Sequence, residues 1–576
     1  MAAGWQLALA RESHPARQRA MDTAEDAAQR LCPVDTGALR ETITGEADRD
    51  SMGGRLSAGD GVVDYASMSP LHLKYAAVDA VVTYLLFEYL NEKIDALGST
   101  NVLSHKIQLM GAVGLSAIER NGICMNEDQR LLLVENLAEE MRGYSTVLKQ
   151  YGWDGGTGVQ KRMAALFDEL KLKLPLTPGG QPSFSESSMA PHRKLHPAID
   201  AKISFEEKKK LFDMLEGLKP DSVTTRVHSK FNTLVETGRT SSSRPNIQNI
   251  SRDSAIRACF VPAQGSWFLI IDYSQIELCT LAQVCLDRYG TSIMADMINE
   301  GRDLHRWFAS VLTGKAEADI SKEERQRAKA CNFGYPGGLG IEAFLDYARN
   351  TFGVSMTEEE ARIYKQKWMS VFSEMQNYMQ DTLFQSFSQK VDFAAGGNPE
   401  AAFGCFKRII RGETWSSSGV PYPARMLENA FNVVLPQVAP DCSGIRVGSP
   451  DLASRVFVET VTSRTGRMRA KCRYTKARNT PFQGLAADGA KIALYYLTRA
   501  GYKLCNFIHD EFVIEVPENI EDGEIEAINE IALDAMHRVV PDIRLKTEWV
   551  LSTSWSKEDR IREGSRILSV PGNRAE

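Results

Sequence analysis

Long apolar runs are largely missing from this chain. None approaches the roughly 18 residues that a membrane-spanning helix requires, so a helical membrane protein is not expected. The opening residues, MAAGWQLALARESHPARQR, contain no apolar core of the kind a secretion signal needs. Paired cysteines are missing too. The 10 cysteines are scattered without one CxxC, which argues against a zinc site and against a disulfide framework. A reducing, cytoplasmic setting follows as the expectation. Nor is there an excess of positive charge. Lys and Arg number 68 against 74 Asp and Glu, and the resulting −6 speaks weakly against a nucleic-acid partner. Totals conceal patches, however, and a patch is what meets phosphate. Residues 461–478, VTSRTGRMRAKCRYTKAR, carry seven basic residues and no acid. A solvated face is the ordinary explanation of a charge run. The missing acids and the following Pro481-Phe482 favour an anion-binding role.

What is present suits a large globular protein. A chain of 576 residues, 43% hydrophobic and 25% charged, can bury a substantial core and hold several subdomains. Its most informative stretch is 267–283, WFLIIDYSQIELCTLAQ. The apolar run from Trp267 to Ile271 predicts a buried strand, and Asp272 stands where that strand ends. Glu277 follows, and then helix-compatible residues. A buried strand that delivers an acid to its rim offers a metal ligand to a cleft. A partner acid is available in 506–516, NFIHDEFVIEV, where two apolar runs flank His509-Asp510-Glu511 and predict a hairpin with acids at its tip.

DYSQIEL, which begins at Asp272, resembles the first motif of family A DNA polymerases, the bacterial polymerase I type, and His509-Asp510-Glu511 resembles their third. Their second motif, an Arg, a Lys and an aromatic at steps of four, is matched between them by Arg325, Lys329 and Phe333. The likeness covers about residues 101–560. It implies an α+β right-hand polymerase: a palm with an antiparallel sheet, helical fingers and thumb, and a short N-terminal remnant. The implied divisions are 1–100 for a remnant of a 3′–5′ exonuclease-like domain, 101–225 for the thumb, 226–300 for the first part of the palm, 301–440 for fingers with an insertion, and 441–576 for the second part of the palm. The implied activity is template-directed DNA synthesis, adding dNTPs to a primer 3′-hydroxyl with release of pyrophosphate.

The resemblance also assigns roles. Asp272 and Asp510 are implied to hold two Mg²⁺, with Mn²⁺ able to substitute, and the Tyr273 main-chain carbonyl could complete one site. Glu511 is a nearby helper. Lys329 and Arg325, with His305, are implied to add positive charge around the triphosphate, Phe333 to press on sugar and base, and Gln275 to join the nucleotide pocket. Glu277 is implied to fill the space of a ribose 2′-hydroxyl, so that deoxynucleotides are preferred. Arg239, Asn246 and Gln248 lie in the stretch TGRTSSSRPNIQNI. With Gln483 and His509 they are implied to meet primer–template DNA. Binding of that kind is salt-sensitive and largely independent of sequence. Processivity or replisome proteins are conceivable partners; a membrane is not expected.

Read without the resemblance, several of these features have plainer explanations. Ser321 and Glu324 form a capping box, and Gly334, Pro336 and Gly337-Gly338 should stop the helix that follows. A basic surface helix with one core aromatic ordinarily explains a stripe such as Arg325, Lys329 and Phe333, and a lone His305 is ordinarily structural. The sequence also departs from the family pattern. Gly337 stands where a Tyr is usual, Cys279 where an Arg often follows, and Thr475 at a position often Arg. Residues 391–455 read as an insertion rich in Gly, Pro and Ser. Near the start, KYAAVDAVVTYLLFEYL resembles the last exonuclease helix, with Tyr75 and Asp79 matching its third motif. No strand-borne DxE precedes it, so a docking helix is expected rather than a proofreading site. The short N-terminal region suggests a phage-type enzyme acting in a host cytoplasm. Three rivals remain open: a single-subunit RNA polymerase, a decayed DNA-binding scaffold, and an active proofreading exonuclease.

Overall fold

A computed structural model of the protein describes residues 70–96, 99–152, 159–174, 180–250, 254–379, 406, 408–410, 421 and 459–569. Nearly all of the 391–455 insertion therefore lies outside the described residues, as do the first 69. The chain divides into two compact units, Met1–His105 and Lys106–Glu576. The first contributes helix α1 (Pro70–Ala96), and the boundary falls within α2 (Ser99–Asn121). Tyr75 and Asp79 belong to α1, but their side chains are outside the described set.

After α2 come β1 (Ile123–Cys124), α3 (Glu127–Gln150), α4 (Val159–Glu169) and α5 (Pro197–Gly217), the mostly helical stretch expected from the sequence. Short strands β2 (Arg226–Val227), β3 (Lys230–Asn232) and β4 (Ser241–Ser243) lead to β5 (Ser266–Tyr273). A helical block follows: α6 (Ile276–Tyr289), α7 (Ile293–Asn299), α8 (Leu304–Thr313), α9 (Lys322–Gly334), α10 (Ile341–Phe352) and α11 (Glu358–Val371). Beyond the insertion are β6 (Glu459–Thr462), β7 (Met468–Cys472), α12 (Tyr474–Arg499), β8 (Lys503–Ile508), β9 (Glu511–Pro517), α13 (Asp522–His537), β10 (Leu545–Ser552) and β11 (Arg560–Leu568).

The second unit is organised around a five-stranded antiparallel sheet in the order β11-β10-β5-β9-β8. Strand side chains alternate between faces. On β5, Leu269, Ile271 and Tyr273 join a core with Leu494 of α12 and Ala532 and Met536 of α13. Phe268 and Ile270 join a second core with Ile123, Leu215, Phe260 and Trp555. Burial on both faces is why 267–271 reads as an unbroken apolar run. Asp272, at the open end of the strand, escapes both cores. The Tyr273 hydroxyl points back into the molecule and donates to the Ala532 carbonyl at 2.5 Å. Gly489 lets α12 and α13 approach, since a Cβ there would run into Met536.

The capping box forms as expected: Ser321 accepts from the Glu324 amide and Glu324 from the Ser321 amide. The helix stops at Gly334 and passes into a 3₁₀ turn, Tyr335–Gly337. Tyr335 is buried, stacked on Phe344 at 4.3 Å between ring centres, with its hydroxyl on the Ala361 carbonyl at 2.9 Å. Gly337 abuts α12, where a Cβ would stand 2.8 Å from Asn479. A larger side chain at that position would have to displace the Asn479 amide.

The expected anion-binding face at 461–478 needs correction. Arg464, Arg467 and Arg469 pair with Asp287, Asp488 and Glu236, and the buried Arg478 donates to the Tyr378 carbonyl at 2.9 Å. Asp287 and Glu236 come from distant parts of the chain and Asp488 from just beyond the run, so the composition of 461–478 hid them. Arg464, Lys471, Arg473 and Lys476 are the exposed basic residues of the run.

Candidate active site

One cleft of about 1120 Å³ gathers nearly all the residues singled out from the sequence. Its floor is the end of β5 and the β8–β9 turn. In register Asp272 sits beside Glu511 on one side and Glu548 on the other. The turn itself is shorter than expected. His509 and Asp510 form it, with His509 in the left-handed region at φ 57°, and Glu511 already belongs to β9. Desolvation at the bottom of the cleft, followed by the charges of Asp272, Glu277 and Glu511, raises the Asp510 carboxyl to about 8.

Glu511 behaves differently. Burial opposes its charge, but Lys557 and Arg257 outweigh burial and hold the carboxyl below its ordinary range. Its Oε1 accepts from Trp555 Nε1 at 2.9 Å and from Arg257 at 3.3 Å, and its Oε2 meets Lys557 Nζ at 2.8 Å. Lys557 Nζ also lies 3.7 Å from Asp272 Oδ2. The sequence reading missed Lys557, Arg257 and Trp555. They carry no periodic signal, and only the sheet brings them to the floor.

Helix α9 contributes to the same cleft, with Arg325, Lys329 and Phe333 all in its lining. Asp303 caps α8 by accepting from the His305 and Arg306 amides and also receives Arg325 Nε at 2.8 Å. Phe333 lies parallel to Phe352 at 6.3 Å and tilted against His305 at 5.4 Å. His305 reaches the cleft lining but is only 1% exposed. Burial, with Arg325 and Lys329 nearby, lowers its pKa to about 3 despite Asp303. It therefore adds no positive charge at neutral pH, contrary to the expectation from the sequence. Asn332 Oδ1 accepts from Trp368 Nε1 at 3.0 Å, so its Nδ2 faces His305 Nδ1, also at 3.0 Å. That orientation makes Nδ1 the acceptor and leaves the proton on Nε2, which has no partner among the described residues. A neutral hydrogen-bond donor remains.

Glu277 pairs with Arg239 across the mouth of the cleft. Desolvation raises the Glu277 carboxyl, and Arg239 limits the rise. Gln275, in the left-handed region at φ 53°, turns the chain from β5 into α6. Gln483 and His509 line the same cleft. Gln248 is buried and donates to Thr240 Oγ1 at 2.7 Å and to the Phe507 carbonyl at 2.8 Å, tying its loop to β8. Asn246 stands apart: it is exposed, does not line the cleft, and accepts from Ser242 and from the Asn249 amide.

Among the described residues no three His, Cys, Asp or Glu side chains form a closed metal cage. What the floor offers is the carboxylate pair Asp272 and Asp510, with Glu277 and Glu511 adding to the negative charge that Asp510 meets. A hard divalent cation that keeps positions for substrate oxygens fits such a donor set. Its charge would return Asp510 to the ionised state.

A family model described as DNA polymerase family A matches residues 158–392. By sequence the chain is similar to DNA polymerase I of Aquifex aeolicus, 27% identical over 520 residues, spanning 85% of this chain and 77% of that protein. It is also similar to DNA polymerase I of Pseudomonas aeruginosa, at 27% identity over 84% of this chain and 47% of that protein. With the thermostable DNA polymerase I of Thermus aquaticus it shares 27% identity over 68% of this chain and 40% of that protein. The chain thus spans less than half the length of these last two relatives. Among solved structures it is similar to the POL domain of Pol1 from M. smegmatis in complex with DNA primer-template and dNTP. There the TM-score is 0.61 at 22% identity, covering 84% of this chain and 76% of that one. The α+β architecture expected from the sequence is the one found.

Proposed function

We propose that the chain is a member of DNA polymerase family A and copies a DNA template by adding deoxynucleotides to a primer 3′-hydroxyl. One observation carries this reading: Asp272 and Asp510 interact in a single cleft that Arg325 and Lys329 also line. Acids and cations lining one cleft suit phosphoryl transfer, in which charge develops on oxygens held among them.

Family A polymerases depend on a metal, and here Asp272 and Asp510, with the Tyr273 carbonyl, would hold two Mg²⁺, or Mn²⁺ in their place. When bound, these ions lower the pKa of the attacking hydroxyl and neutralise the leaving pyrophosphate. The protein's own groups do the rest. Arg325 offers the triphosphate a planar fork and Lys329 a point charge. The neutral His305 donates Nε2–H to an oxygen without bringing charge. Phe333, backed by Phe352, gives a flat apolar surface to base and sugar. Glu277, held by Arg239, occupies space that a 2′-hydroxyl needs, which favours deoxynucleotides. We read α3–α5 as the gripping thumb, α8–α11 as fingers, and the five-stranded sheet as the palm.

The test is primer extension on a defined template with Mg²⁺ or Mn²⁺, comparing dNTPs with rNTPs. Templated extension that prefers dNTPs is the expected result. Preference for rNTPs would shift the assignment to an RNA polymerase, and no extension with either set would overturn it.

A further inference from the structure

The connection between β10 and β11 is a built turn. Four of its residues are at most 3% exposed: Ser552, Ser554, Trp555 and Ser556. Ser552 Oγ donates to the Ser556 carbonyl at 2.9 Å, and the Ser556 amide to Ser554 Oγ at 2.9 Å. Ser554 Oγ also donates to Asp559 at 2.6 Å, and the Trp555 amide to the Phe260 carbonyl at 2.9 Å. The Trp555 ring packs edge-on against Phe260 at 5.3 Å and under the Arg257 guanidinium at 4.5 Å. A turn fixed at so many points holds Lys557, which follows directly, over the acid floor.

The charges around Lys557 can be counted. Glu511 from β9 and Asp272 from β5 face it, and Arg257 approaches the same carboxylate. Arg257 and Trp555 together already serve Glu511 Oε1. Lys557 serves Glu511 Oε2, and the same ammonium reaches Asp272 Oδ2, so its charge is shared between the two carboxylates. The plain alternative, in which Lys557 merely anchors Glu511, fits the 2.8 Å contact but leaves the 3.7 Å approach to Asp272 without a role.

We infer that Lys557 is the resident counter-charge of the acid pair, competing with a divalent cation for Asp272 and so weakening the site's grip on that cation. The inference rests on the polymerase reading only in taking Asp272 and Asp510 as the cation's ligands. Its consequence is a site whose negative charge is partly offset when empty and which accepts its metal with moderate affinity.

The experiment is Mn²⁺ titration of the full chain without DNA or nucleotide, with the free ion read by electron paramagnetic resonance. Lys557→Met keeps the aliphatic stem and removes the charge. It should bind Mn²⁺ roughly tenfold more tightly than the parent, because a like charge near the ion has gone. Lys557→Gln should do the same and replaces it as the test if the apolar tip unfolds the turn. Lys557→Arg should bind as the parent does. Unchanged or weaker binding in the Met and Gln variants overturns the inference. Asp272→Asn and Asp510→Asn separate the two claims. If they abolish Mn²⁺ binding while the Lys557 variants change nothing, only the counter-charge fails. If they leave binding intact, the carboxylate pair is not the ligand set, and both readings fall.

Discussion

Lys491 and Asp510 both carry a charge that desolvation opposes, yet their surroundings answer in opposite ways. Lys491, wholly buried on α12, donates to Gln108 Oε1 at 2.7 Å and to the carbonyls of Thr233 and Gly238 at 2.8 and 2.6 Å. One turn earlier, the equally buried Asp488 accepts from Arg467, from Thr465 at 2.5 Å and from Gln108 at 3.4 Å. Every bond in that knot closes on the protein itself. Around Asp510 the neighbours are Asp272, Glu277 and Glu511, with Arg239 the opposing charge. The first cluster is finished by folding, and the second waits for something positive. Satisfied buried polarity marks scaffold, and a local surplus of one sign around one cleft residue marks a place for a ligand.

The contrast can be broken by substitution. At the open cluster, Asp272→Ala or Asp510→Ala should lower primer extension on the order of a thousandfold or more while leaving DNA affinity nearly unchanged. Single-turnover extension and a DNA-binding titration measure the two, and normal extension by either variant would refute the catalytic assignment. At the closed cluster, Asp488→Ala leaves Arg467 buried without its carboxylate and should cost about 3–5 kcal/mol in urea unfolding. Joint replacement of Asp488 and Lys491 by Leu and Met should recover part of that loss. A full-strength Asp488→Ala protein would mean that the knot is not the scaffold described.

Subtler changes sharpen the comparison. Glu277→Ala should raise ribonucleotide use relative to deoxynucleotides by roughly ten- to a hundredfold, read from the two extension rates. A constant ratio would remove Glu277 from sugar selection. Asp510 also sets a pH trend. Its folded carboxyl is raised, so its contribution to stability is full below the ordinary carboxylate range and is lost as pH rises through about 8. In chelator, Asp510→Asn should therefore gain melting temperature over the parent between pH 5 and 9, by a few degrees. A gap independent of pH would contradict the open cluster. Smallest of all, Asp213→Ala removes an exposed pair with Lys209 and should shift stability by less than about 0.5 kcal/mol.

Local patterns were the legible part. The apolar run into Asp272, the capping box at Ser321 and the apolar flanks of His509-Asp510 each follow from neighbours in the chain, and each formed. Properties that depend on distant partners were not legible. Three cations of 461–478 are neutralised by Asp287, Glu236 and Asp488, all outside the run. The charge state of His305 is set by burial against Asn332 and Trp368. Lys557 follows a run of serines, STSWS, that looks like any polar loop until the sheet sets it beside β5.

The central place of β5 has a consequence for biogenesis. Its hydrogen-bonding partners β9 and β10 belong to the last part of the sheet to be synthesised, and Tyr273 reaches a carbonyl 259 residues further along. On the ribosome the strand bearing the first aspartate must therefore wait, with both edges bare, while the intervening helices are made. Such long-range pairing closes slowly. An exposed apolar strand of this kind is a natural client for a holdase chaperone until translation delivers its neighbours.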